Sequence, residues 1–122
     1  MPIARFSLVA LDCPDALALA EFYRQIVGGE VEPQTEEEDD WVLLKLPDSS
    51  DLAFQQVADH RSPDWPDGGP QQLHLDFDVD DLDVGERAVL AIGARKSPTQ
   101  PRPDGWRVFL DPAGHPFCLV LA

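Results

Sequence analysis

Polar and apolar side chains alternate over the segment HLDFDVD, which begins at His74. Because successive side chains of a β-strand point to opposite faces, His74, Asp76 and Asp78 are expected to share one face, and the intervening Leu, Phe and Val the other. A polar row on one face of an otherwise apolar strand is typical of a strand that borders a wet pocket. The imidazole of His74 is suited to contact a ligand or to act as a general acid or base, and the alternative is a structural histidine.

The two cysteines, Cys13 and Cys118, are too few for a disulfide framework and are interpreted as free thiols. Cys118 is followed by Leu119 and Val120, and apolar neighbours of this kind predict a buried strand in which a thiol is inert. Because no base can be paired with Cys118 from the sequence, it is interpreted as a structural residue rather than a nucleophile. His115, which follows the glycine of the turn DPAGH, is expected to be exposed.

Trp41 and Trp106 begin corresponding strands of the two halves of the sequence. An indole ring buries a large apolar area while it offers one hydrogen-bond donor. Two interpretations therefore stay open, namely that these rings flank a ligand cavity or that they fill the core.

The first half of the sequence predicts the order βαβββ. A strand over Phe6–Leu11 is followed by the turn DCPD, in which Asp12 or Cys13 precedes a helix, and apolar residues at helical spacing then run to Gly28-Gly29. Three further strands are predicted at 30–33, 41–46 and 52–57. A segment rich in Pro, Gly and Asp follows and reads as a linker over about residues 59–70.

The second half repeats this order at an offset of 66 residues, which places Leu8 on His74 and sets LVALDCPD on HLDFDVDD. The predicted elements are a strand over Gln72–Val79, a helix capped by Asp80 and ending near Ile92, and three strands near 95, 106–110 and 116–121. The repeat predicts an α+β fold in which two tandem βαβββ modules, at about 4–58 and 71–122, form curved mixed sheets around a cavity. One domain over residues 1–122 is expected.

A formal net charge of −14 argues against binding to nucleic acid, because a phosphate backbone would be repelled. No apolar run approaches the roughly 20 residues that span a bilayer, and the first residues do not resemble a signal peptide, so no membrane partner and a cytoplasmic location are expected. The acidic run Glu36–Asp40 is interpreted as a solvated turn.

Three segments, LDCPDALALAEFYRQIVGGEV, LHLDFDVDDLD and WRVFLDPAGHPFCLV, resemble in order and spacing the vicinal oxygen chelate superfamily. This superfamily includes glyoxalase I, bleomycin- and fosfomycin-resistance proteins and extradiol dioxygenases, and the nearest subgroup is the one called glyoxalase-like. The resemblance implies the two-module fold, and it implies a homodimer.

The resemblance also implies metal-ligand positions in the first and last strand of each module, which fall on Leu8, about Phe54, His74 and Cys118. Of these only His74 keeps the usual ligand chemistry, and Cys118 stands where a DP-x-G-x-x-x-E pattern has glutamate. Catalysis of the glyoxalase or dioxygenase type needs three or four N and O donors, so no cofactor is expected and a divalent metal is doubtful. Gln56 shares its parity with Phe54 and is expected to offer a polar contact.

Two functions are therefore carried forward. The first is a protein that binds an apolar or aromatic small molecule without a full metal site. The second is a lyase, isomerase or dioxygenase, with or without a metal, that uses His74 as its catalytic group. An accessory module that acts through protein contacts is a third alternative. The candidate ligand-binding residues are Trp41, Phe54, Gln56, His74, Asp76, Trp106 and Cys118.

Overall fold

A computed structural model describes residues 2, 5–33, 40–63, 65–66 and 72–122. Most of the predicted acidic turn, residues 36–39, lies outside the described residues. The chain divides into two compact units whose boundary in the sequence lies between His60 and Arg61. Each unit contains one βαβββ module.

The first unit contains one four-stranded mixed sheet and one helix. In the sheet the strand order is β1-β4-β3-β2, in which β1 runs parallel to β4 and the other pairs are antiparallel. The elements are β1 (Leu8–Cys13), α1 (Ala16–Val27), β2 (Glu30–Val31), β3 (Trp41–Lys45) and β4 (Asp51–Gln56).

The second unit has the same connectivity. Its sheet has the order β5-β8-β7-β6, with β5 parallel to β8 and the other pairs antiparallel. The elements are β5 (Leu75–Val79), α2 (Leu82–Ala91), β6 (Arg95–Lys96), β7 (Trp106–Leu110) and β8 (Pro116–Leu121). The predicted α+β fold of two tandem βαβββ modules is confirmed.

Both helices begin at an aspartate, but not at the residues that the sequence suggested. The Asp15 carboxylate accepts a hydrogen bond from the Ala18 N–H at 3.0 Å, and the Asp81 carboxylate accepts one from the Val84 N–H at 3.0 Å. The predicted cap at Asp80 is therefore wrong, and the first helix follows Asp15 rather than directly following Asp12 or Cys13. Each helix is preceded by more than one aspartate, and the residue that caps is the one whose extended backbone aims its oxygen at the N–H three positions on.

Aromatic rings pack against one another in both units. In the first unit Phe54 stacks on Tyr23 of α1, with ring centroids 5.8 Å apart and planes inclined by 18°. In the second unit Phe117 stacks on Phe109 at 5.7 Å and meets the edge of Phe77 at 6.0 Å. Offset and edge-to-face pairs of this kind add to the stabilisation that comes from buried apolar area.

The turn between β7 and β8 is closed by Asp111. Its carboxylate accepts hydrogen bonds from the backbone N–H groups of Ala113, at 2.8 Å, and His115, at 3.0 Å, while its own N–H donates to the His115 carbonyl at 2.9 Å. These bonds hold His115 inside the fold, where it has no exposed surface. The prediction that His115 is exposed is wrong, because the glycine and the carboxylate turn the chain inwards.

Among the described residues, neither helix is long and apolar enough to cross a membrane.

We expect Phe54→Ala to lower the free energy of unfolding by about 3–5 kcal/mol, because it leaves a cavity beside Tyr23 where the side chain is now fully buried. Urea denaturation followed by circular dichroism measures the change. Phe6→Ala is the matched control, since Phe6 is 71% exposed and its loss should cost much less. Equal costs for the two variants would contradict the packing described here.

Candidate functional site

Each sheet has one face covered by its helix and one that is not, and the second is called the helix-free face. In the second unit the covered face is identified by Gly85 of α2, where an added Cβ would lie 3.1 Å from Leu119 Cδ1 and 3.2 Å from Val79 Cγ1. Because neighbouring residues of a strand alternate, Cys118 and Asp78 lie on the helix-free face.

The strand register shows which side chains are neighbours on this face. Asp76 pairs with Cys118, which pairs in turn with Val108. In the next row Val120 lies between Asp78 and Trp106. The helix-free face of the second sheet therefore has polar groups along β5 and mainly apolar side chains along β8 and β7, of which Val108 is buried and Val120 and Trp106 are half-buried.

Cys118 is held as a neutral thiol. It is 8% exposed, and removal from solvent, followed by the charge of Asp76 and a side-chain hydrogen bond to it, raises the pKa of Cys118 to about 11. Burial disfavours the thiolate, and a nearby carboxylate disfavours it further. A thiol that keeps its proton at neutral pH is a hydrogen-bond donor and a poor nucleophile, in agreement with the sequence interpretation of Cys118 as unreactive.

His74 lies immediately before β5 rather than within it. Its Nε2 is 3.7 Å from Asp76 Oδ1, and the side chains are 45% and 58% exposed. At this distance the contact is electrostatic and longer than a hydrogen bond, and exposed pairs of this kind contribute little to stability. His74 and Asp76 are therefore close neighbours on the helix-free face and both are accessible to a ligand.

Two basic side chains of the second sheet form ion pairs with the helix on the covered face. Arg107, the neighbour of Trp106, points to the covered face, where its Nη1 lies 2.9 Å from Asp83 and 3.3 Å from Glu86 of α2. Lys96 also binds Glu86, at 3.0 Å. Within the described residues, no lysine or arginine forms an ion pair with Asp76 or Asp78, so these carboxylates are not neutralised by basic side chains of the sheet.

In the first unit two of the predicted ligand-binding residues lie on the other face. Phe54 stacks on Tyr23, and the Gln56 side-chain oxygen accepts a hydrogen bond from the Ala16 N–H at the start of α1, at 3.1 Å. The prediction that Phe54 and Gln56 line the helix-free face is therefore wrong. Their neighbour Gln55, which was not among the predicted ligand-binding residues, lies on that face and pairs with Trp41.

The error is a shift of one residue, which in a strand reverses every side chain. A signal for the correct register was present in the sequence. Aligning Trp41 with Trp106 gives an offset of 65 residues, which places Ala53 on Cys118 and Gln55 on Val120. The pairing agrees, because Ala53 pairs with Ala10 as Cys118 pairs with Asp76. The structure thus places Trp41 and Trp106 at equivalent positions on the helix-free faces of their own sheets.

The described residues do not form a group that fits a divalent metal. Within the described part of the chain, no three His, Cys, Asp or Glu side chains are grouped closely enough to hold one. In the first unit the equivalents of His74 and Cys118 are Leu8 and Ala53, which carry no donor atom.

The sequence profile of the glyoxalase-like domain family matches residues 8–120. The chain belongs to this family. No curated protein matches the sequence of this glyoxalase-like chain.

Solved structures share the fold over nearly the whole chain. A glyoxylase/bleomycin resistance protein/dioxygenase domain from Frankia sp. EAN1pec is 22% identical, with a TM-score of 0.67 and coverage of 99% of each chain. TnmS3, an antibiotic binding protein from Streptomyces sp. CB03234, is 21% identical, with a TM-score of 0.62 and coverage of 98% of this chain and 97% of its own. The fosfomycin resistance protein FosX from Mesorhizobium loti is 18% identical, with a TM-score of 0.67 and coverage of 99% and 94%. The glyoxalase-like chain thus has the fold of the vicinal oxygen chelate superfamily.

We expect alkylation of Cys118 by iodoacetamide to be slow at neutral pH and to accelerate as the pH rises towards about 11, because the reactive form is the thiolate. Asp76→Asn removes a charge that disfavours the thiolate, so it should lower the pKa and speed the reaction at a fixed pH of about 9. Peptide mass spectrometry distinguishes Cys118 from Cys13. A rate that Asp76→Asn leaves unchanged, with Asp48→Asn as the control for net charge, would contradict the thiol–carboxylate contact.

Proposed function

We propose that this glyoxalase-like protein binds an apolar or aromatic small molecule on its helix-free sheet surface, without a full metal site. The observation that carries the proposal is the composition of the second sheet's helix-free face. There the half-buried side chains of Trp106 and Val120 share a face with the polar pair His74 and Asp76, and the buried Val108 of β7 lies on the same face. A site that combines apolar area with a few convergent polar groups is the usual form of a small-molecule site.

Two further points support binding rather than turnover. The thiol of Cys118 is protonated at neutral pH, and the donor set does not fit a metal, so the groups that a nucleophilic or metal-assisted reaction needs are not supplied by these residues. Sequestration of a ligand needs complementarity alone. TnmS3, which shares the fold, is described as an antibiotic binding protein, so the fold is compatible with this role.

A second candidate is a metal-free isomerase in which His74 acts as the general acid or base. The observation that favours it is the half-exposed imidazole of His74, whose Nε2 lies 3.7 Å from the Asp76 carboxylate, because a general acid or base must be accessible to its substrate. Loss of a measured turnover in His74→Ala with ligand affinity retained would establish this role.

The resemblance to the superfamily also leads us to propose a homodimer. Light scattering coupled to size-exclusion chromatography gives the mass directly, with about 27 kDa expected for two 13.5-kDa chains.

We expect aromatic fragments to shift the indole N–H signal of Trp106 in ¹H–¹⁵N spectra, and Trp106→Ala to weaken their binding by about tenfold, because the ring supplies apolar contact area. Trp65→Ala is the matched control, since Trp65 is a linker tryptophan outside both sheets. Equal weakening of fragment binding in the two variants would contradict the placement of Trp106 in the ligand site.

A further inference from the structure

The proposed site contains a thiol and a carboxylate on neighbouring strands. Cys118 of β8 and Asp76 of β5 are paired in the parallel register, so their side chains are neighbours on the helix-free face. The first sheet has Ala53 and Ala10 at the equivalent pair. Of the two modules, only the second therefore carries this polar pair on its helix-free face.

Asp76 has acceptor sites that a ligand can reach. An ionised carboxylate accepts up to about four hydrogen bonds, more than its neighbour Cys118 can donate with one thiol. The Asp76 side chain is 58% exposed, so acceptor sites remain for a ligand. The group that fits these sites must donate a hydrogen bond, and a charged amine forms the stronger, charge-assisted bond.

The surroundings of Asp76 favour the same kind of group. Arg107 and Lys96 are bound to Glu86 on the covered face and do not compete for Asp76. Arg95 shares the helix-free face with Leu110 but lies on β6, with two strands between it and β5. An anionic group of a ligand, which a metal ion would attract, is repelled by the Asp76 carboxylate here.

We propose that this protein binds its ligand without a metal ion, and that Asp76 accepts a hydrogen bond directly from an amine of the ligand. The inference rests on the proposed function for the location of the site. Trp106 lies two strands from β5, a separation of about 10 Å, which suits an amine joined by a short chain to an aromatic ring.

The first experiment tests the metal. The untagged protein is dialysed against Mn²⁺ and, separately, Zn²⁺, and bound metal is measured by elemental analysis for the wild type and His74→Ala. We expect no saturable binding at free metal concentrations up to about 1 mM in either protein. One equivalent of tightly bound metal that is lost in His74→Ala would overturn the proposal.

The second experiment compares two probes of similar shape and opposite charge, 2-(2-naphthyl)ethylamine and 3-(2-naphthyl)propanoate. Dissociation constants are measured by NMR titration in the presence of EDTA. We expect the amine to bind the wild type at least about tenfold more tightly than the acid, and Asp76→Asn to abolish most of this preference. Asp48→Asn, which makes the same change in net charge within the turn between β3 and β4, should retain it.

The outcomes separate the inference from the proposed function. If both probes bind Asp76→Asn and the wild type with the same preference, the role of Asp76 is wrong while ligand binding stands. If the preference falls equally in Asp48→Asn, it reflects net charge, and the role of Asp76 is again wrong. If neither probe binds the wild type, both the inference and the proposed function fail. Dispersed ¹H–¹⁵N spectra of each variant show that it is folded.

Discussion

The parallel pairing of the first and last strand of each module is the constraint on which the rest of the structure depends. It brings together residues far apart in the chain, such as Asp76 on β5 and Cys118 on β8. Once this register is set, alternation along the strands decides which side chains meet the helix and which remain on the helix-free face. The thiol–carboxylate contact, the elevated pKa of Cys118 and the accessible acceptor sites of Asp76 all follow from that one register.

The two modules use the same backbone for different surfaces. In each module the third strand begins with a tryptophan, Trp41 of β3 and Trp106 of β7, and the two residues occupy equivalent positions. The first module has Leu8 and Ala10 where the second has His74 and Asp76, so its helix-free face lacks the carboxylate and the imidazole. It carries instead an ion pair between Lys45 and Asp51, whose charged atoms are 2.8 Å apart. The polar groups that we propose to contact a ligand therefore lie in one copy of the repeated fold, and Leu8 and Ala10 at the equivalent positions of the other copy carry no side-chain donor atoms.

Ion pairs on the covered face of the second sheet hold two basic side chains away from Asp76 and Asp78. Arg107 of β7 and Lys96 of β6 form ion pairs with carboxylates of α2. Ion pairs of this kind are worth little individually in water. They affect the site by position, because they keep these two cations on the covered face while Asp76 and Asp78 lie on the helix-free face.

The sequence by itself determined the repeat, the order of elements and the alternation that places Asp76 and Phe77 on opposite faces of β5. These are local properties, because turn residues and periods of two or 3.6 are read from neighbouring positions. The tertiary structure decided the rest. It selected Asp15 and Asp81 as caps, buried His115, and turned Phe54 and Gln56 towards α1, leaving Gln55 on the helix-free face. The physical reason is that alternation states which residues share a face but not which face is covered, and only the pairing of distant strands and the packing of the helix resolve that choice.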